Sequence, residues 1–267
     1  MNLLKRTAVG IVGVPAIYLI IRAGSWYLLA LVTVQAGLAA WEFYRLAKRS
    51  GPLARLGTTL TAAAPVAVYW AIRGGRAELA GFLLVALAAI SAVSTLIVSP
   101  AVQGSIARIS VTAFGIIYLG GLFSLQFFLR RDPGGADWLF LAYLATWSVD
   151  IGSYLAGLAL GRHKLSPILS PGKTWEGAAG GLVFAVAAGW LVGLNVMELF
   201  GPFAALLYGV LIAVAAPAGD LVESLWKRDA LVKDSGGLVP GHGGILDRFD
   251  SLLLVLPVTL AFRYLIG

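Results

Sequence analysis

Six carboxylates, four basic side chains and a histidine crowd into Gly219–Asp250, in a chain that is only 12% charged. The stretch reads GDLVESLWKRDALVKDSGGLVPGHGGILDRFD, and apolar runs flank it on both sides. Asp220, Ser224, Lys227 and Arg228 recur at spacings of three and four, so on a helix they form one polar face that Glu223 can share. Pro217 should kink that helix just before the face begins. Lys233, Asp234, a Pro240-Gly241 turn, His242 and the pair Gly243-Gly244 follow. Asp247, Arg248 and Asp250 stand where the last apolar run starts. Carboxylates at two helix ends suit a hard cation such as Mg²⁺, which takes one or two of them and fills its shell with water and substrate phosphate. Clustered Lys and Arg then neutralise charge on a phosphoryl group. Single members have plainer explanations. Asp250 could cap the final helix, Asp229 could be a solvated loop charge, and His242 could be a structural hydrogen bonder.

Two further groupings bear polar chemistry. In TWSVDIGSYLAGLALG, Asp150 and Tyr154 are four apart and share a helix face. If the helix enters a membrane at Trp138, Asp150 lies about 18 Å along it. A carboxylate at that depth is costly, and it either forms a buried bond between helices or walls a polar cavity. The loop GRHKLSPILSPGKTWEG (161–177) offers Arg162, His163, Lys164 and Lys173 as cations, with Ser170 and Thr174 as hydroxyls. Its GKT is not a P-loop, because Pro167 stands where the first glycine is required and no strand precedes it. The following helix N-terminus adds a positive dipole end, so the loop suits a phosphate-rich ligand. An ordinary basic loop with a proline-fixed turn is the plainer reading.

The elements that must carry these groups are membrane-length helices. Hydrophobic residues make up 59% of the chain and mean hydropathy is +0.88, against roughly 45–50% apolar usage in soluble domains. The apolar runs are continuous, which disfavours a barrel and predicts an all-α polytopic membrane protein. About nine spans are expected: 7–22, 25–44, 56–72, 79–99, 110–129, 138–161, 177–195, 201–221 and 249–266. The basic start and apolar core of the first could mark a cleaved signal peptide, but no small-residue cleavage site follows Arg22, so it is read as a span. With the N-terminus inside, 14 of the 20 Lys and Arg fall on inner segments, which places the C-terminus outside and loops 162–176 and 222–248 together on the cytoplasmic side. Basic residues here report orientation and anionic lipid, not nucleic acid. The absence of cysteine excludes disulfides, thiolate metal sites and a cysteine nucleophile. Gly120-Gly121, Gly177, Gly180 and Gly181 are expected to let helices pack closely. WEFYRLAKRSGPLARLG (41–57) is read as an aromatic and basic anchor at the membrane surface, without a direct part in chemistry.

The stretch SLWKRDALVKDSGGLVPGHGGILDRFD (224–250) resembles the signature of the phosphatidate cytidylyltransferases, or CDP-diacylglycerol synthases. That signature runs Ser, two residues, Lys-Arg, four residues, Lys-Asp, then Pro-x-His-Gly-Gly, two residues, Asp-Arg-x-Asp. Trp226 and Val239 depart from the usual residues but stay apolar. SPILSPGKTWEG (166–177) is similar to a second block of the family. Asp150 to Gly157 is similar to its Asp-x-x-x-Tyr-x-x-Gly segment, with Ser153 where Ala is commoner. The resemblance covers roughly residues 140–260.

The resemblance implies condensation of CTP with phosphatidic acid to give CDP-diacylglycerol and pyrophosphate, with Mg²⁺, an accompanying K⁺ and a homodimer. It assigns metal to Asp220 and Asp247, with Asp150, Glu223 and Asp250 as further candidates. Lys227, Arg228, Lys233, Arg248 and Lys173 would hold phosphates, and Asp234 and His242 would orient a phosphate or a water. Asp150, Tyr154, Ser170, Thr174, Glu176, Ser224, Gly243 and Gly244 would line the substrate site. It also implies an inner cell membrane location, a catalytic region over 138–267, and a scaffold over 1–137 that gives lipid access or dimer contacts. A CTP-dependent enzyme acting on another lipid phosphate or a polyprenol, such as an ether-lipid cytidylyltransferase, would share these motifs. An anion transporter is the alternative of another class. Transporters place charge in matching halves near the midplane, whereas here it is bunched in the C-terminal half.

Overall fold

A computed structural model describes residues 3–99, 101–236 and 244–266, with side chains from residue 12 onward. Among these residues the chain is all-α apart from one small hairpin. Its helices are α1 (Leu3–Ala23), α2 (Ser25–Leu46), α3 (Ala54–Arg73), α4 (Leu79–Val98), α5 (Ser105–Arg131), α6 (Gly135–Leu160), α7 (Trp175–Leu194), α8 (Pro202–Asp229) and α9 (Leu246–Ile266). Two of them contain π-helical turns, α5 at Ile116–Gly121 and α7 at Gly189–Leu194. Among the described residues, seven stretches are long and apolar enough to cross a membrane: Ser25–Ser50, which continues α2, together with α4 to α9. The chain is a polytopic α-helical membrane protein.

Two expected spans differ from the rest. Residues 56–72 do form a helix, but Arg55, Thr58, Thr59, Thr61 and Pro65 dilute its apolar character, and it is not among the seven. In α1 the side chains described form the apolar stretch Val12–Ala23. Gly24 makes the one-residue break between α1 and α2 at φ 61°, a left-handed conformation that favours glycine. Arg130 closes the end of α1 by donating from Nε to the Ile21 carbonyl at 2.9 Å.

The chain divides into two compact units, Met1–Arg131 with Asp229–Arg248, and Asp132–Arg228 with Phe249–Gly267. Among the described residues, 229–236 and 244–248 group with the N-terminal helices, whereas the sequence expectation places them in the C-terminal region. In the first unit, buried Tyr44 of α2 fits against Gly57 and Gly115, where an added Cβ would strike its ring. Its hydroxyl donates to the Thr112 carbonyl at 2.8 Å, so the buried polar group is satisfied. Gly120 gives α5 a close approach to Ala64 of α3, as the small-residue pattern anticipated.

In the second unit, Trp138, Phe200, Tyr208 and Phe262 form an aromatic core, and the Tyr208 hydroxyl lies 3.1 Å from that of Thr259. Helices α6 and α7 pack through Gly152, Gly180 and Gly181, each too close to its neighbour to carry a Cβ unchanged. The expected loop 162–176 contains an antiparallel hairpin, β1 (Lys164–Ser166) and β2 (Ser170–Thr174). Helix α8 continues to Asp229, so the first part of the expected loop 222–248 is helical.

Candidate active site

Pro217 sits inside α8, one helical turn before the polar face that sequence spacing predicted. Lys173, on β2, reaches this turn. Its Nζ lies 2.6 Å from Oδ2 of Asp220 and donates to the Pro217 carbonyl at 3.4 Å. The Ser224 hydroxyl donates to the other oxygen of Asp220 at 3.4 Å. One turn on, Glu223 is buried and pairs with Lys227 at 2.6 Å.

Helix α9 supplies the third carboxylate. It starts at Leu246, so Asp250 lies a full turn inside and is not the helix cap. Asp250 is buried, accepts from the Ser251 amide at 2.6 Å and hydrogen-bonds Glu223. Ligand oxygens of Asp220, Glu223 and Asp250 all lie within 4.8 Å of one another. Gly219 makes this possible, because a Cβ there would collide with the Asp250 carbonyl. Three carboxylates so close, two of them buried, repel unless cations or protons neutralise them. Lys173 and Lys227 supply part of that charge, and an all-oxygen set of this spacing suits a hard divalent cation.

Beside Asp220 a cavity of about 320 Å³ opens, lined by Asp150, Tyr154, Ser170, Lys173, Thr174 and Pro217 among others. It joins three stretches that lie far apart in sequence. Asp150 is exposed to this space, which favours the cavity-wall reading over a bond enclosed between helices. Thr174 caps α7, its hydroxyl oxygen accepting from the Gly177 amide at 3.1 Å.

Other expected residues fall elsewhere. Glu176 does not line the cavity. It accepts from the amides of Arg162 and His163 and contacts the His163 ring at 2.5 Å, so it closes the base of the hairpin. Arg228 donates to the Leu169 carbonyl at 3.1 Å and ties the hairpin turn to α8. Lys233, Asp234 and Arg248 are exposed. Asp247, in the first turn of α9, accepts on one oxygen from the Gly244 amide at 2.8 Å and from the Ser235 amide and hydroxyl at 3.2 and 2.9 Å. His242 and Gly243 lie outside the described residues.

One acid escaped the sequence reading. Glu42, in the segment taken for a surface anchor, is wholly buried in α2 and accepts from Leu246 and Ile245 amides at 2.7 and 3.1 Å. The available signal was a lone acid within an apolar span, which marks a polar task by default. Beside it, the Arg45 guanidinium stacks 4.5 Å from the Trp41 ring centroid.

Fold and site together define a class: a polytopic helical membrane protein with a carboxylate–lysine cluster beside a polar cavity. The chain belongs to the cytidylyltransferase family, whose model matches residues 4–266. It is 47% identical over 143 residues to the phosphatidate cytidylyltransferase of Bacillus subtilis (strain 168), with 53% of each chain covered. Identity to the protein of that name from Staphylococcus haemolyticus is 41% over 143 residues, with 54% of each covered. For the one from Brucella suis biovar 1 it is 40% over 156 residues, covering 58% of this chain and 56% of the relative. The chain thus spans about half the length of the curated relatives it matches.

Proposed function

We propose that the protein is a membrane nucleotidyltransferase that condenses CTP with phosphatidic acid to give CDP-diacylglycerol and pyrophosphate. The observation that carries the proposal is the cavity where Lys173 and Asp220 meet beside Asp150 and Tyr154, next to the Asp220–Glu223–Asp250 cluster. Family membership and the names of the relatives support the same reading.

Both reactants are polyanions, so their approach is repulsive without positive charge on the protein. A lipid phosphate oxygen attacks the α-phosphorus of CTP, forming the new P–O bond as the bond to the β-phosphate oxygen breaks and pyrophosphate leaves. With the lipid phosphate as dianion, charge balances without a proton transfer and no covalent protein intermediate forms. Lys173 holds phosphate at the cavity, and Asp150 and Tyr154 line its wall. Ser170, Thr174 and Ser224 offer hydroxyls, and Lys227, Arg228, Lys233 and Arg248 add positive charge. Asp220, Glu223 and Asp250 would hold Mg²⁺, with Asp247 the other carboxylate assigned to metal from sequence. When bound, that ion supplies charge neutralisation for the phosphates.

The proposal includes a cytoplasm-facing site, an inner-membrane location, contact with anionic lipid, an accompanying K⁺ and a homodimer. The deciding experiment is pyrophosphate release from CTP by purified protein, with and without phosphatidic acid and Mg²⁺. Release that requires both supports the proposal. Turnover of another lipid phosphate or a polyprenol phosphate, with none of phosphatidic acid, overturns it.

A further inference from the structure

The Glu42 carboxylate reaches across 193 to 204 positions of sequence to both ends of the glycine-rich segment that precedes α9. One oxygen accepts from the Ile245 amide. The other accepts from the Leu246 amide and faces the Ser235 hydroxyl at 3.2 Å. These amides belong to the start of α9, where no intrahelical acceptor exists, so a residue of α2 performs the capping that a local side chain usually performs. Gly236 and Gly244 flank the carboxylate so closely that a Cβ on either would collide with it. Ser235 lies between Glu42 and Asp247, and its single hydroxyl proton can serve only one of them at a time.

We infer that Glu42 is a positioning residue: it clamps residues 235–236 and 244–246 and so sets the Asp247 carboxylate. This rests on reading Asp247 and its surroundings as part of the nucleotidyl-transfer site. A buried acceptor facing two amides and a hydroxyl is specific for a carboxylate. In Glu42→Gln the amide nitrogen replaces one acceptor with a donor, which must face a donor of the segment.

The test joins hydrogen exchange with kinetics in the full-length protein. Glu42→Gln should speed exchange of the Ile245 and Leu246 amides while peptides around Tyr44 and Thr61 keep wild-type protection. Turnover should fall about a hundredfold, as expected for a displaced site group. Gly244→Ala, which pushes on the clamp from the other side, should reproduce the pattern. Ser235→Ala combined with Glu42→Gln should lose no more turnover than the worse single variant, because both act through one connection. Unchanged exchange at 245–246 overturns the clamp. Faster exchange with wild-type turnover overturns the positioning role, and so does loosening that extends equally to Tyr44 and Thr61. If the wild-type protein does not turn over CTP, the proposed function fails, yet the exchange data still decide the clamp.

Discussion

Lys173 Nζ lies 2.6 Å from Asp220 Oδ2, joining the β-hairpin to the turn of α8 that follows Pro217, at the edge of the cavity. Each partner keeps some solvent exposure, 21% and 35%. A pair this exposed contributes little to stability, which leaves its charges available to the ligand of the proposed function.

Lys173→Met should lower turnover about a hundredfold, the scale of losing one well-aimed charge at a reacting site. Thermal unfolding in detergent should shift by less than about 1 kcal/mol, since partly exposed pairs contribute little. Pyrophosphate release and a melting curve on the same preparation check both halves.

Glu223→Gln and Asp250→Asn each remove an acceptor charge from the carboxylate cluster. Each should raise the Mg²⁺ concentration needed for half-maximal turnover by about tenfold or more. Chelation should abolish turnover and restored Mg²⁺ should return it. Asp229→Asn, at the exposed end of α8, should leave the Mg²⁺ titration as in wild type.

Gly219→Ala places a methyl group against the Asp250 carbonyl. The contact is with backbone, which yields poorly, so the change should destabilise the fold by about 1–3 kcal/mol. Denaturation followed by tryptophan fluorescence measures it. A variant as stable as wild type would show that α9 can move away from α8 at no cost.

Glu176→Gln separates binding from support. Because Glu176 closes the hairpin and does not line the cavity, KM for CTP should hold while deuterium uptake rises at Arg162 and His163. A large rise in KM without a change in uptake would return Glu176 to the substrate site.

The chain has no cysteine, so single introduced cysteines report membrane orientation without background. With the proposed topology, Ser166→Cys and Asp234→Cys should react with an impermeant maleimide only after the cell membrane is opened. Arg76→Cys should react in intact cells. The reverse pattern would invert the protein.

Much of this protein is legible in sequence because lipid as solvent imposes a local rule. Long apolar runs such as 79–99 and 201–221 must form helices to satisfy their own backbone, whatever they pack against. The shared face of Asp220 and Ser224, and of Asp150 and Tyr154, follows likewise from helical period alone. Distant pairings carry no such period. Nothing in the segment Ser170–Thr174 announces that Lys173 will meet Asp220, or that Glu176 will turn back to the hairpin. Residues 41–57 look like an interfacial anchor, and only burial of Glu42 beneath the Leu246 and Ile245 amides shows its second task. Asp250 was ambiguous for a similar reason, since its place depends on where α9 begins and on Gly219 letting two backbones touch. Composition and period determined the helices and the polar faces they carry. Close packing between residues far apart in the chain decided which of those polar groups meet.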